Sequence, residues 1–163
     1  MIAQLRVDDR LIHGQVALVW TKELNTPGIV VANDNAANNE MVQMTLKMAT
    51  PTGKKLLIRS VDDAIRVFNN PKGANMRIFA LTNCVKDALK IAQNVKDIDG
   101  INVANVGRFT KDADNATQLS STLMLSPEEM DALKDLVKLD VPVFHQVLPN
   151  NAKTSINSML KDA

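Results

Sequence analysis

Two hydrophobic rhythms alternate along the chain. In residues 2–8 apolar and polar positions alternate, with Ala3, Leu5 and Val7 on one face and Arg6 and Asp8 on the other, which predicts a strand with a polar end. Val16, Leu18, Val19 and Trp20 then open a helix that reaches about residue 25, where Pro27-Gly28 breaks it. Ile29-Val30-Val31-Ala32 is a short unbroken apolar run, of the kind buried on both faces in a parallel sheet. The alternation continues with a helix over 38–48, a strand over 55–58, a helix from the Ser60 cap to residue 69, and a strand over 76–81. Thr82-Asn83 should cap a further helix whose apolar face is Val85, Ala88, Leu89 and Ala92, and residues 101–104 give a fifth strand.

Residues 105–118 lose the period and carry Gly107, Asp112, Asp114 and Asn115; a loop of this length in a small domain is more often functional than neutral. A short sixth strand is expected over 121–125. Ser126-Pro127-Glu128-Glu129 follows as a helix start, with serine as cap, proline at the first helical position and a glutamate three residues after the cap. Residues 141–148 predict a seventh strand, and 154–160 a terminal helix. Strands that alternate with helices of about ten residues define an α/β protein. Its mainly parallel sheet of about six or seven strands is covered on both faces through right-handed crossovers. No linker or repeat interrupts the pattern, so residues 1–163 read as one domain.

Composition narrows this picture chiefly by exclusion. The formal net charge is +1, there is no basic run, and four Phe, one Trp and no Tyr leave little for base stacking, so nucleic acid is not an expected partner. Cys84 is the single cysteine, which forbids an internal disulfide; with two scattered histidines it does not resemble a zinc site, and neither metal nor cofactor is expected. No apolar run approaches the roughly 18 residues that cross a bilayer, and the first residues lack a signal-peptide pattern, which suggests a cytoplasmic protein. The eight methionines read as helical core positions. Gly53-Lys54 lacks the earlier glycine and the following hydroxyl residue of a P-loop, and neither G-x-G-x-x-G nor G-x-S-x-G occurs.

What remains is the stretch from Arg6 to Val16, which joins the first strand to the first helix and holds His13 between two arginines, two aspartates and Gly14. The loop that leaves a strand's carboxyl end and enters a helix is the usual ligand position in this class of fold, because amides at the helix start point outward. Imidazole is mostly neutral near pH 7 and offers a nucleophilic ring nitrogen. Phosphoryl transfer needs little beyond positioning and positive charge. Arg10 can supply that charge and Arg6 can assist from the strand. Asp8 or Asp9 can hold an arginine or the imidazole, and the amides around Gly14 and Gln15 can bind phosphate oxygens. Taken singly, a loop histidine is more often structural or solvated than catalytic, and chemistry alone leaves both readings open.

The eleven residues Arg6-Val7-Asp8-Asp9-Arg10-Leu11-Ile12-His13-Gly14-Gln15-Val16 resemble the signature of the EIIB components of the mannose/fructose/sorbose family of the bacterial phosphoenolpyruvate-dependent sugar phosphotransferase system. The end of strand two at Ala32-Asn33-Asp34 and the run Ile101-Asn102-Val103-Ala104-Asn105 are similar to that family as well, although members usually have Gly where Ala104 stands. The resemblance implies a three-layer α/β/α sandwich. It further implies a phosphotransferase that receives a phosphoryl group from a phosphohistidine of EIIA, carries it on Nδ1 of His13, and passes it to a sugar brought by the membrane EIIC and EIID subunits. Arg10 is then the charge partner, with Arg6, Asp9, Gly14 and Gln15 as supports. The protein would be attached peripherally to the membrane permease, and a homo-oligomer is compatible with this role. The Asn102-Val103-Ala104-Asn105 variant leans toward the N-acetylgalactosamine or galactosamine branch.

Two other functions compete. A receiver-type signalling domain would use Asp8-Asp9 and Thr82, but needs an aspartate and a lysine where Arg59-Ser60 and Asn105 stand. A regulatory relative that binds the same partners without carrying phosphate is disfavoured by the retention of His13 with Arg10. His145, inside the seventh strand pattern, reads as structural, while Thr82, Asn83, Asn105 and Arg108 could border the His13 site.

Overall fold

A computed structural model describes residues 1–108 and 113–163. In chain order the elements are β1 (Ile2–Asp8), α1 (Val16–Glu23), β2 (Gly28–Ala32), α2 (Asp34–Ala37), α3 (Glu40–Ala49), β3 (Lys55–Arg59), α4 (Val61–Phe68) and β4 (Ile78–Thr82). They continue with α5 (Val85–Asn94), β5 (Ile101–Asn105), β6 (Thr117–Ser120), β7 (Leu123–Leu125), α6 (Pro127–Leu136), β8 (Val143–His145), β9 (Thr154–Ser155) and α7 (Ile156–Lys161).

Seven strands form one sheet in the order β3-β2-β4-β1-β5-β8-β9, parallel throughout except for the last pair. From β1 the chain steps outward to β2 and β3, then reverses to β4 and crosses β1 to reach β5. With crossovers of one hand, that reversal sends the helices to opposite faces. Trp20 of α1 and Leu46 of α3 pack with Ile29, Val31, Phe79 and Leu81 on one face; Val85 and Ile91 of α5 and Leu133 of α6 pack with Val30, Ala80 and Val103 on the other. The carboxyl end of β1 therefore lies where the connections part, the usual crevice of such sheets.

The expected alternation in β1 is present, but both faces are buried: all seven residues are inaccessible, including Gln4, Arg6 and Asp8. Polar residues in a fully covered strand need partners, and these find them in a buried network. The sixth strand differs from expectation. Residues 117–125 form an antiparallel hairpin of β6 and β7 outside the main sheet, and the seventh sheet position belongs to β9. Residues 109–112 of the long loop, Asp112 among them, lie outside the described residues.

The hairpin is clamped onto the end of β5. Val106 N–H donates to Thr122 O at 3.0 Å and Met124 N–H to Val106 O at 2.9 Å. Gly107 has φ +93°, and a Cβ there would stand 2.0 Å from the Met124 carbonyl oxygen. Gly107→Ala should lower stability by about 1–3 kcal/mol, measured by urea denaturation; an unchanged midpoint would mean that the clamp yields without cost.

Two helix starts are built differently from their sequence signals. Ser126 caps α6 by accepting Glu129 N–H at 3.2 Å, but the Glu129 carboxylate does not fold back. It reaches α5 instead and accepts Val85 N–H and Lys86 N–H at 2.8 Å each. The residue before α5 is Cys84, whose side chain makes no capping bond, so Glu129 supplies the acceptor that Thr82-Asn83 was expected to provide. The methionines of α3 also differ from a core role: Met41, Met44 and Met48 are 81%, 65% and 82% exposed. They lie on the face opposite Leu46, the one buried residue of that helix.

Candidate functional site

Asp8, the last residue of β1, is the hub of the loop that follows. Arg6 and Asp8 are two apart in a strand and so share a face. Both side chains are fully buried, with Arg6 Nη2 3.2 Å and Nε 3.3 Å from Asp8 Oδ2. The same Oδ2 accepts from His13 Nε2 at 2.9 Å and from Asn105 Nδ2 at 3.1 Å, while Oδ1 accepts the Arg10 backbone N–H at 3.0 Å. Burial alone would push the Asp8 carboxyl up, but the hydrogen bond from His13 and the Arg6 charge hold it below the usual carboxylate range. An ionised carboxylate only accepts, so in the neutral ring His13 Nε2 carries the proton and Nδ1 the lone pair. The fold thereby sets the tautomer of the ring, which is partly exposed, at 17%.

The folded-state pKa of Asp8 lies below its unfolded value. Its contribution to stability is therefore complete above the ordinary range near pH 4 and is lost as pH falls through the lower folded value. Acid titration followed by Trp20 fluorescence should thus show the surroundings of this residue intact where exposed carboxylates protonate, with disruption only at lower pH. A transition centred near pH 5 would contradict the network.

Arg6 cannot touch a ligand directly, since it is fully buried. Its Nη1 donates to Val147 O at 3.0 Å, and its guanidinium lies 5.8 Å from the centre of the Trp20 ring, whose Nε1 donates to the same carbonyl at 2.9 Å. Burial lowers the Arg6 pKa against the opposing pull of Asp8. Its charge acts on the loop through Asp8. Residues 146–148, expected within a strand, serve this network instead: Gln146 N–H donates to Asn102 Oδ1 at 3.0 Å, and Asn102 Nδ2 to Gln146 O at 2.8 Å.

Asp9 is engaged with the loop after β5. Its Oδ2 accepts the Arg108 N–H at 2.8 Å, its Oδ1 is buried without a partner among the described residues, and burial raises its pKa. Asp9 ties the loop after β5 to the loop after β1. Arg10 is exposed at the rim. Leu11 and Ile12 anchor the loop by burial, with Leu11 in the left-handed region at φ +57°, a local strain of about 1–3 kcal/mol. Gly14 also has positive φ, at +50°, yet a Cβ there would meet nothing within 4 Å; the turn demands glycine, not the close approach of another group. Gln15 stands at the start of α1 and its side chain makes no capping bond.

The loop thus gathers His13, Arg10, Gly14 and Gln15 at one end of β1, with Arg6 and Asp9 beneath and beside them. Asn105 joins from β5. His145 is engaged elsewhere: Nδ1 lies 2.7 Å from Val103 O and Nε2 3.4 Å from Ser120 Oγ, a structural position. Thr82 is buried, and its hydroxyl has no partner among the described residues.

At one end of a parallel sheet covered on both faces, the fold thus places together the uncapped start of the eight-residue α1, an imidazole bonded to a buried carboxylate and an exposed arginine. The family model of the PTS system sorbose subfamily IIB component matches residues 2–163, and the chain belongs to this family. A probable phosphotransferase enzyme IIB component of Streptococcus pyogenes serotype M6 is 57% identical over 98% of this chain and 99% of its own length. The mannose-specific EIIAB component of Escherichia coli K12 is 33% identical over 83% of this chain, which spans only 41% of that longer protein. Among solved structures, the IIBSor domain of the sorbose permease from Klebsiella pneumoniae superposes with a TM-score of 0.90 at 29% identity, covering 100% of this chain and 98% of that one.

Proposed function

We infer that this IIB component carries a phosphoryl group on Nδ1 of His13, between an EIIA phosphohistidine and a sugar delivered by membrane EIIC and EIID subunits. The observation that carries this reading is the 2.9 Å bond from His13 Nε2 to the buried Asp8 carboxylate, which leaves Nδ1 as the nucleophile. In the first transfer the donor N–P bond breaks, its electron pair stays on the donor ring, and the Nδ1 lone pair forms the new N–P bond. In the second, a sugar hydroxyl oxygen bonds to phosphorus, the Nδ1–P pair returns to His13, and the hydroxyl proton passes to water. Arg10 and the amides at the start of α1 stabilise the equatorial oxygens in both steps.

A protein donor also needs a surface. Leu18 and Val19 are exposed on α1 and the three methionines on α3, and Met41 lines one cleft with Arg10, which suits adaptable docking around the loop. Selectivity for the sugar is expected in the membrane subunits, and the protein would work at their cytoplasmic face. The test is incubation with phosphoenolpyruvate, the general phosphotransferase proteins and a cognate EIIA. The expected result is an acid-labile gain of one phosphoryl group, assigned to Nδ1 by nitrogen NMR. Attachment at Nε2, or no gain with a competent EIIA, would overturn the reading.

A further inference from the structure

A cavity of about 380 Å³ opens between the His13 loop and the β6-β7 hairpin. Arg10, Arg108, Asn105 and the Asp9 carboxylate line it from the end of β5 and the loops after β1 and β5, and Gln118, Ser121 and Thr122 line it from the hairpin. It borders the carrier loop directly. Asn105 Nδ2 and His13 Nε2 both bind Asp8 Oδ2, at 3.1 and 2.9 Å, which keeps the two nitrogens within about 6 Å of each other.

The two sides differ in chemistry. Neither guanidinium forms an ion pair among the described residues, in contrast to Arg6, whose charge is matched by Asp8. The opposite wall is neutral and made of amide and hydroxyl groups, among them Thr122 Oγ1, which donates to Ala104 O at 2.7 Å and keeps an accepting lone pair. The space is built into the fold: Gly107 seats the β5 loop against the Met124 carbonyl, and Asp9 Oδ2 holds the Arg108 backbone at 2.8 Å. A cationic end and a neutral hydrogen-bonding wall side by side match a phosphorylated polyol, whose phosphate and hydroxyls need those two environments.

We propose that this cavity is the acceptor subsite of the second transfer, in which Arg10 and Arg108 hold the phosphoryl group while Gln118, Ser121 and Thr122 hold the sugar hydroxyls. The proposal rests on the carrier reading and deepens it, because the IIB component then contributes to recognition of the sugar. Gln118 and Ser121 are exposed and form no side-chain hydrogen bond among the described residues, so both can be replaced without unfolding the hairpin.

The unphosphorylated full chain is titrated with mannose 6-phosphate, mannose and inorganic phosphate, and amide shifts are followed by NMR. Mannose 6-phosphate should move amides at both Arg108 and the 118–122 wall, and inorganic phosphate those of the arginine end alone. Hairpin amides that do not respond to mannose 6-phosphate, or that respond equally to inorganic phosphate, overturn the proposal whatever the fate of the carrier reading. The Gln118→Ala, Ser121→Ala double variant should accept phosphoryl from EIIA at the wild-type rate and lose about tenfold or more in transfer to sugar, the effect of two neutral hydrogen bonds. Equal losses in both steps would assign the wall to the donor protein, and no loss in either would remove its role; both outcomes overturn the subsite. A wild-type chain that takes no phosphoryl group defeats the carrier reading instead, and the titration remains decisive for the cavity.

Discussion

Replacing His13 by alanine should abolish the acid-labile phosphoryl adduct, whereas His145→Ala should leave it within about twofold of wild type. The contrast follows from the surroundings of the two rings. His13 has one nitrogen committed to Asp8 and the other unengaged among the described residues, and it stands in a partly exposed loop beside Arg10. Both nitrogens of His145 face protein groups, Val103 O and Ser120 Oγ. Cys84, the single cysteine, is pushed up to about 12 by burial and is a thiol at neutral pH. Intact-mass analysis of both variants beside wild type decides the matter. An adduct on His13→Ala would mean that a different group carries the phosphoryl.

The second large effect is expected at Asp8, which the carrier reading uses only indirectly. Asparagine has one accepting oxygen where the carboxylate has two. If that oxygen faces His13, Arg6 and Asn105, the amide nitrogen meets the Arg10 N–H, donor against donor. If it turns to Arg10, the imidazole must accept at Nε2 and move its proton to Nδ1, which removes the nucleophile. In either orientation the buried Arg6 loses its counter-charge. Asp8→Asn should therefore cost about 3–5 kcal/mol of stability, as a broken buried pair does, and slow phosphoryl acceptance by about 10²-fold or more. Chemical denaturation and transfer kinetics read the two effects separately. A variant destabilised but fully active would separate the ion pair from the tautomer.

Much of this was legible beforehand, for identifiable reasons. The uninterrupted apolar runs of β2 and β4 and the alternation of strand with helix specify a covered parallel sheet. The stretch from Arg6 to Val16 marks its own importance by gathering rare and charged residues at a strand end. What escaped the sequence depends on contacts between distant segments. Asp8, and not Asp9, holds the histidine; the i, i+2 spacing of Arg6 and Asp8 was the available signal, but its force came only from burial of both faces of β1. Asn105, expected only at the border of the site, enters its network through a bond to Asp8, 97 positions away in sequence. The Glu129 carboxylate left its own helix for α5, an exchange that no local capping pattern encodes. The hairpin and β9 were misread because strands of two to four residues carry too few positions to display a period.

The central place of β1 has a consequence for motion. This strand is bonded on both edges, to β4 and β5, and every one of its residues is buried. Such a segment opens only when the whole domain does, so its amides should be among the slowest to exchange with solvent. Asp8 belongs to that segment, and the His13 ring is tied to it. On the carrier reading, a phosphoryl group received at His13 would be held against this doubly bonded, buried strand, and the travel between donor and acceptor would be left to whole proteins rather than to a swinging loop.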